Sequence, residues 1–124
     1  MSRKLRQALA AIDGVEESDS AFKDDVGYWV NGKEIAHFEG ERAIDIRLTR
    51  AVIRDRRAGL TADPRVRLRA SGSDWLTVEL TGRGAIAFVV ELVEAAAAAH
   101  RAPSGTIAAP PPQGSDLSRR RRFH

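Results

Sequence analysis

Cysteine is absent from this 124-residue chain. That excludes a disulfide framework, a thiolate nucleophile, an iron–sulfur cluster and a cysteine zinc site, and it suits a reducing compartment, so a cytoplasmic location is expected. Long apolar runs are also lacking. The most apolar stretch, residues 85–99, is interrupted by Glu91 and Glu94, and the N-terminus alternates charge with short apolar groups. Neither a signal peptide nor a membrane span is expected. Histidine is scarce, at three residues, and P-loop, dinucleotide-binding and G-x-S-x-G patterns are missing, which removes the common nucleotide-binding and serine-hydrolase classes. What remains has the length and hydrophobic content of one small globular domain.

Charge divides the chain in two. Residues 1–101 carry sixteen basic and sixteen acidic residues, so the net charge of +3 lies in residues 102–124, with Arg119, Arg120, Arg121 and Arg122 against Asp116. This tail is rich in Pro, Gly, Ser and Ala and has little apolar surface to offset its ordering entropy. It is expected to be disordered, and its four arginines to give weak, salt-sensitive, non-specific attraction to polyanions.

Over residues 1–101 the periodicities predict an α+β fold. Leu5, Leu9 and Ile12 have helical spacing, and residues 15–18 suggest a brief strand. Three apolar-alternating segments follow, GYWV, KEIAHFE and RAIDIRL, separated by Asn31-Gly32 and Gly40-Glu41. Asn-Gly is a strong hairpin signal because a type I′ turn needs positive φ at both central residues. Two-residue loops at both places give an antiparallel meander with Tyr28 opposite Ile35 and His37 opposite Ile44. Thr49 can cap a helix over 50–58, ended by Gly59. RVRLRA and WLTVEL form a second hairpin, and residues 85–101 the longest helix, with a broad stripe of Ile86, Val89, Val90 and Val93. The expectation is an antiparallel sheet of about five strands, a meander plus a hairpin, covered on one face by helices.

On that register His37 falls on the core face with Ile44, Ile46 and Tyr28. A hydrogen-bonded core histidine is then the preferred reading, ahead of a general base oriented by Glu39 or a shared metal site, and no metal or cofactor is expected. The opposite face carries Trp29, Glu34, Phe38, Asp45, Arg47, Arg67, Arg69, Trp75 and Thr77 if the two hairpins share a sheet. An aromatic floor with a few charges suits a small organic ligand, with Arg67 and Arg69 holding an anionic group. The same face equally suits a solvated sheet surface or a homodimer interface.

The segment from Gly32 to Asp55, followed by SGSDWLTVEL and a terminal helix, resembles the luciferase-domain family, small bacterial proteins named for their likeness to fungal luciferase. Glu34, His37, Gly40, Asp45, Ser73 and Trp75 match the family pattern. Ala36, Glu39 and Asp74 depart from it, where the family has Gly, a second His and Gly. The resemblance singles out His37, Glu34 and Asp45 as candidate catalytic residues, and it implies oxygenation of a small planar substrate by O2 without a flavin. The alternative is a non-enzymatic module that binds a second copy or a partner through the aromatic face.

Overall fold

The computed structural model describes residues 3–70 and 72–114. In chain order the elements are α1 (Arg3–Ala10), β1 (Glu16–Asp19), β2 (Val26–Val30), β3 (Lys33–Glu39), β4 (Ala43–Arg47), α2 (Arg50–Asp55), α3 (Arg57–Ala62), β5 (Val66–Leu68), β6 (Trp75–Glu79) and α4 (Ala85–His100). The fold is α+β as expected. Its antiparallel sheet has six strands rather than about five, in the order β1-β2-β3-β4-β6-β5, because the brief strand after α1 extends the meander at its edge. Both hairpins share this sheet, joined by the β4–β6 pairing.

One face of the sheet carries the core. Tyr28, Ala36, Phe38, Ile44, Ile46, Leu76 and Val78 are buried there with Leu5, Leu9 and Ile12 of the α1 region, Ile53 and Leu60 of α2 and α3, and Val89, Leu92, Val93, Ala96 and Ala97 of α4. The α4 positions follow the i, i+3, i+4 stripe of a helix laid on a sheet. This helix packs on β3 and β4 and is itself packed by α1. Among the described residues no helix is long and apolar enough to cross a membrane.

Three local expectations are corrected. The helix over 50–58 is two short helices meeting at Arg56, and Gly59 lies inside the second rather than ending the first. The β3–β4 loop holds three residues, not two, so Glu39 pairs with Ala43 and His37 with Asp45. In β2–β3 the tight turn does pair Val30 with Lys33, but Trp29 then pairs with Glu34 and Tyr28 with Ala36, leaving Ile35 as the extra residue of a bulge. A bulge reverses which side chains face which way beyond it. Ala36 and Phe38 therefore face the core, and His37 does not.

Residues 101–114 carry no helix or strand, yet Ala109 N–H donates to Asn31 Oδ1 at 2.8 Å, Pro111 is buried, and Gln113 Nε2 lies 3.4 Å from Ser18 Oγ. The physical reason is the Asn31-Gly32 turn, whose side-chain carbonyl and bare glycine accept a passing backbone; Ala109 Cβ lies 3.2 Å from the position a Gly32 Cβ would take. The arginine run 119–122 falls outside the described residues. Deleting residues 109–124 is expected to cost about 0.5–1.5 kcal/mol, the worth of one such hydrogen bond with a buried proline. Thermal unfolding of the truncated chain checks this, and an unchanged midpoint would mean the contact contributes nothing.

Candidate functional site

The sheet face turned away from the helices holds a buried ionic cluster. The β3 bulge places Glu34 and His37 on this face three residues apart, and the β3–β4 register sets Asp45 directly opposite His37. His37 Nδ1 is 3.1 Å from Glu34 Oε2, and its Nε2 is 3.0 Å from Asp45 Oδ2. Only 2% of Glu34, 5% of His37 and 3% of Asp45 is exposed. Buried charges require partners, and each carboxylate has more than one. Glu34 accepts from Ser20 Oγ–H and, at 2.7 Å, from Ala21 N–H. Asp45 Oδ1 accepts from Thr77 Oγ1 at 2.7 Å and meets an Arg69 guanidinium nitrogen at 3.2 Å. Gly27, which pairs with His37 in the sheet, makes room for Glu34, because a Cβ at residue 27 would lie 2.5 Å from Glu34 Oε2.

A carboxylate only accepts, so an imidazole with one at each nitrogen is best satisfied when both nitrogens carry protons. Burial opposes that charge, but the bonds to Asp45 and Glu34 outweigh it and raise the His37 pKa above its ordinary value. Burial likewise opposes ionisation of Asp45, and the bonds from His37 and Thr77 with the nearby Arg69 charge hold its carboxyl well below the usual carboxylate range. With His37 protonated at both nitrogens, the positive charges of its ring and of Arg69 face the side chains of Glu34 and Asp45.

Aromatic rings roof it. The His37 ring lies 5.0 Å from Trp75 and 5.3 Å from Phe22, and these two meet edge to face at 5.5 Å. The guanidinium carbons of Arg47 and Arg69 lie 5.8 and 6.0 Å from the Trp75 ring. Such a dry, ring-covered setting strengthens each charge interaction beneath it.

The expected site residues therefore separate. Glu34, His37, Asp45, Arg69, Trp75 and Thr77 converge, and Arg47 borders them. Phe38 is corrected to the core face, where it packs edge-on against Tyr28 at 6.1 Å. Arg67 points to solvent and pairs with Glu79 at 3.7 Å. Trp29 is buried with Ala21, and its indole N–H has no partner among the described residues. The core-histidine reading of His37 is half right: it is buried and fully bonded, but among charges rather than Ile44 and Ile46. Ser20, Ala21 and Phe22 went unread, since a polar loop before β2 gives no signal that it folds over the sheet.

Metal ligation has one geometric candidate, His37 with Glu39 and Asp45, whose ligand atoms lie within 4.8 Å of one another. In the structure these atoms are otherwise engaged: His37 Nε2 by Asp45, and exposed Glu39 by Lys23 Nζ at 2.6 Å. Broader surface depressions of about 690, 560 and 370 Å³ are lined by other regions, such as Arg6 and Glu17, Arg65 and Arg83, or Leu60 and Phe88.

The His37 shift has a checkable sign. A raised folded-state pKa contributes stability that is fully present below the unfolded value of about 6.5 and is lost as pH rises through the folded value. Above about pH 6.5 the urea midpoint of the wild type is expected to fall as the imidazolium deprotonates, while His37→Gln, which carries no such proton, stays flatter. Parallel profiles for the two would place the imidazolium elsewhere.

A family model described as the Luciferase domain matches residues 32–96, just over half of the chain. The matched stretch runs from the start of β3 into α4 and includes Glu34, His37, Asp45, Arg69, Trp75 and Thr77, but neither Phe22 nor Trp29. Comparison with curated proteins and with solved structures gives no match. With its characteristic stretch carrying the whole ionic cluster, the chain belongs to the luciferase-domain family.

Proposed function

We propose that this domain binds a small planar, acidic organic molecule at the Trp75 edge of the ionic cluster, with Glu34, His37 and Asp45 setting the proton balance beneath it. The observation that carries the reading is the cluster itself. Three ionisable side chains, each at least nine-tenths buried, sit on the face that is not the hydrophobic core. For fold stability alone, apolar residues of similar volume do as well or better, whereas perturbed, mutually bonded titratable groups beside a ring surface are what ligand chemistry uses.

In this reading Trp75 offers an aromatic surface and Arg69 a charge-assisted hydrogen bond to the acid. His37 holds its proton under the rings, and its charge responds to whatever draws Arg69 away from Asp45. Oxygenation by O2 without a flavin is the chemistry the family name suggests for the bound molecule. It is tested by O2 uptake and light emission once a ligand is in hand.

Tryptophan fluorescence provides the first test. Titration with a hydroxypyrone series is expected to give a saturable response at fixed protein concentration, weakened about tenfold by Trp75→Ala or Arg69→Gln, the loss expected from one charge-assisted bond or one stacking surface. No response across planar acids, together with a dimer in scattering that Trp75→Ala dissolves, would replace this reading with the interface one.

A further inference from the structure

At the border of the cluster, two arginines from the helix side stand, like Arg47 on the sheet, without an acidic partner among the described residues. Arg50 opens α2 and Arg57 opens α3, and neither makes an ion pair among the described residues, whereas Arg69 is held by Asp45 and Arg67 by Glu79. Arg50, Arg57 and Arg69 nonetheless line one crevice of about 20 Å³, together with Ser73 and Trp75. The backbone is arranged to deliver Arg50 there. Thr49 adopts φ 83°, unusual for a β-branched residue. It is held by Asp74, whose carbonyl accepts the Thr49 N–H at 3.0 Å and whose carboxylate accepts the Arg50 N–H at 2.9 Å.

With three arginines lining one small space, an anion placed there meets favourable charge from each of them. We propose that this crevice is a carboxylate seat, taking the acid group of a planar molecule whose ring lies against Trp75. The proposal rests on the ligand reading above for the ring and adds which part of the molecule is recognised and by what. The space admits a head group of one or two polar atoms and excludes a ring. The planar guanidinium fork favours a planar oxyanion over a spherical halide. Through Arg69, 3.2 Å from Asp45 Oδ1, the seat connects directly to the ionic cluster.

Calorimetric titration of the full chain with benzoate and with benzamide tests the seat, since the two differ in charge but hardly in shape. Benzoate is expected to bind about tenfold more tightly than benzamide, and Arg50→Gln/Arg57→Gln to remove that preference. Both residues are exposed, so the double variant is expected to fold normally, which circular dichroism verifies. Arg50→Lys/Arg57→Lys, keeping the charges but not the forks, is expected to restore part of the preference. Equal binding of benzoate and benzamide, unaltered in the glutamine variant, overturns the seat and leaves the ring-binding reading standing. Heat from neither compound, in a protein that also fails the hydroxypyrone titration, overturns both.

Discussion

Glu34→Ala is expected to destabilise the fold by about 3–5 kcal/mol, the cost of removing one member of a buried charge network. One carboxylate here serves three donors on two segments: Ser20 Oγ–H and Ala21 N–H in the loop before β2, and His37 Nδ1–H in β3. Alanine removes the shared acceptor of all three in a buried site and leaves His37 facing Asp45 as its one carboxylate. Glu34→Gln should cost less, because its amide oxygen still accepts from the loop, but its neutral side chain no longer supports the charge on His37, so the imidazole pKa should fall. Urea unfolding of both variants and proton NMR titration of His37 in the glutamine variant measure this. A loss under about 1 kcal/mol for alanine would match a solvated surface pair instead. A larger loss with an unmoved His37 titration in the glutamine variant would mean that Glu34 serves the loop only.

That Glu34, His37 and Asp45 belong together was legible in the sequence only through the family pattern. Periodicity set His37 against Ile44, because a two-residue loop at Gly40 is the simplest reading and because a bulge leaves no mark in a segment such as Ile35-Ala36, where both residues are apolar. The two irregularities act together. The bulge turns the rest of β3 over, and the three-residue loop moves its partner by one position, so that His37 meets Asp45 while Ile44 and Ile46 keep their places in the core. The strands without irregularities were legible in full. In β5 and β6 strict alternation separated Val66, Leu68, Leu76 and Val78 from Arg67, Arg69, Trp75 and Thr77, and the pairing of Leu68 with Leu76 and of Arg67 with Thr77 follows that alternation. The roof over the cluster was not readable, since Ser20, Ala21 and Phe22 act through a loop whose path depends on the acceptor Glu34 offers it.

The alternation in β6 separates stability from site chemistry at two adjacent residues, which yields the sharpest mutational contrast in the chain. Leu76 is fully buried and pairs with Ile46 on one side and Leu68 on the other, on the face covered by the helices. Leu76→Ala is expected to cost about 2–5 kcal/mol, because the cavity lies in a sheet row held by neighbours that cannot close on it. Thr77 points the opposite way and donates its hydroxyl to Asp45 at 2.7 Å. Thr77→Val keeps the shape and β-branching of the residue and removes the donor, so about 1 kcal/mol is expected, the net worth of a single hydrogen bond. Its larger effect falls on the cluster: with one donor gone, the Asp45 carboxylate turns more of its accepting capacity to His37 and Arg69, and the imidazole should hold its proton to higher pH. Urea unfolding paired with NMR titration of His37 therefore separates the two variants in opposite directions. Leu76→Ala should lose stability with the His37 titration unmoved, and Thr77→Val should keep most of its stability with the titration shifted upward. If Leu76→Ala instead shifts the titration as much as Thr77→Val does, the two faces of the sheet are mechanically coupled and the cluster cannot be treated as a site set on a rigid support.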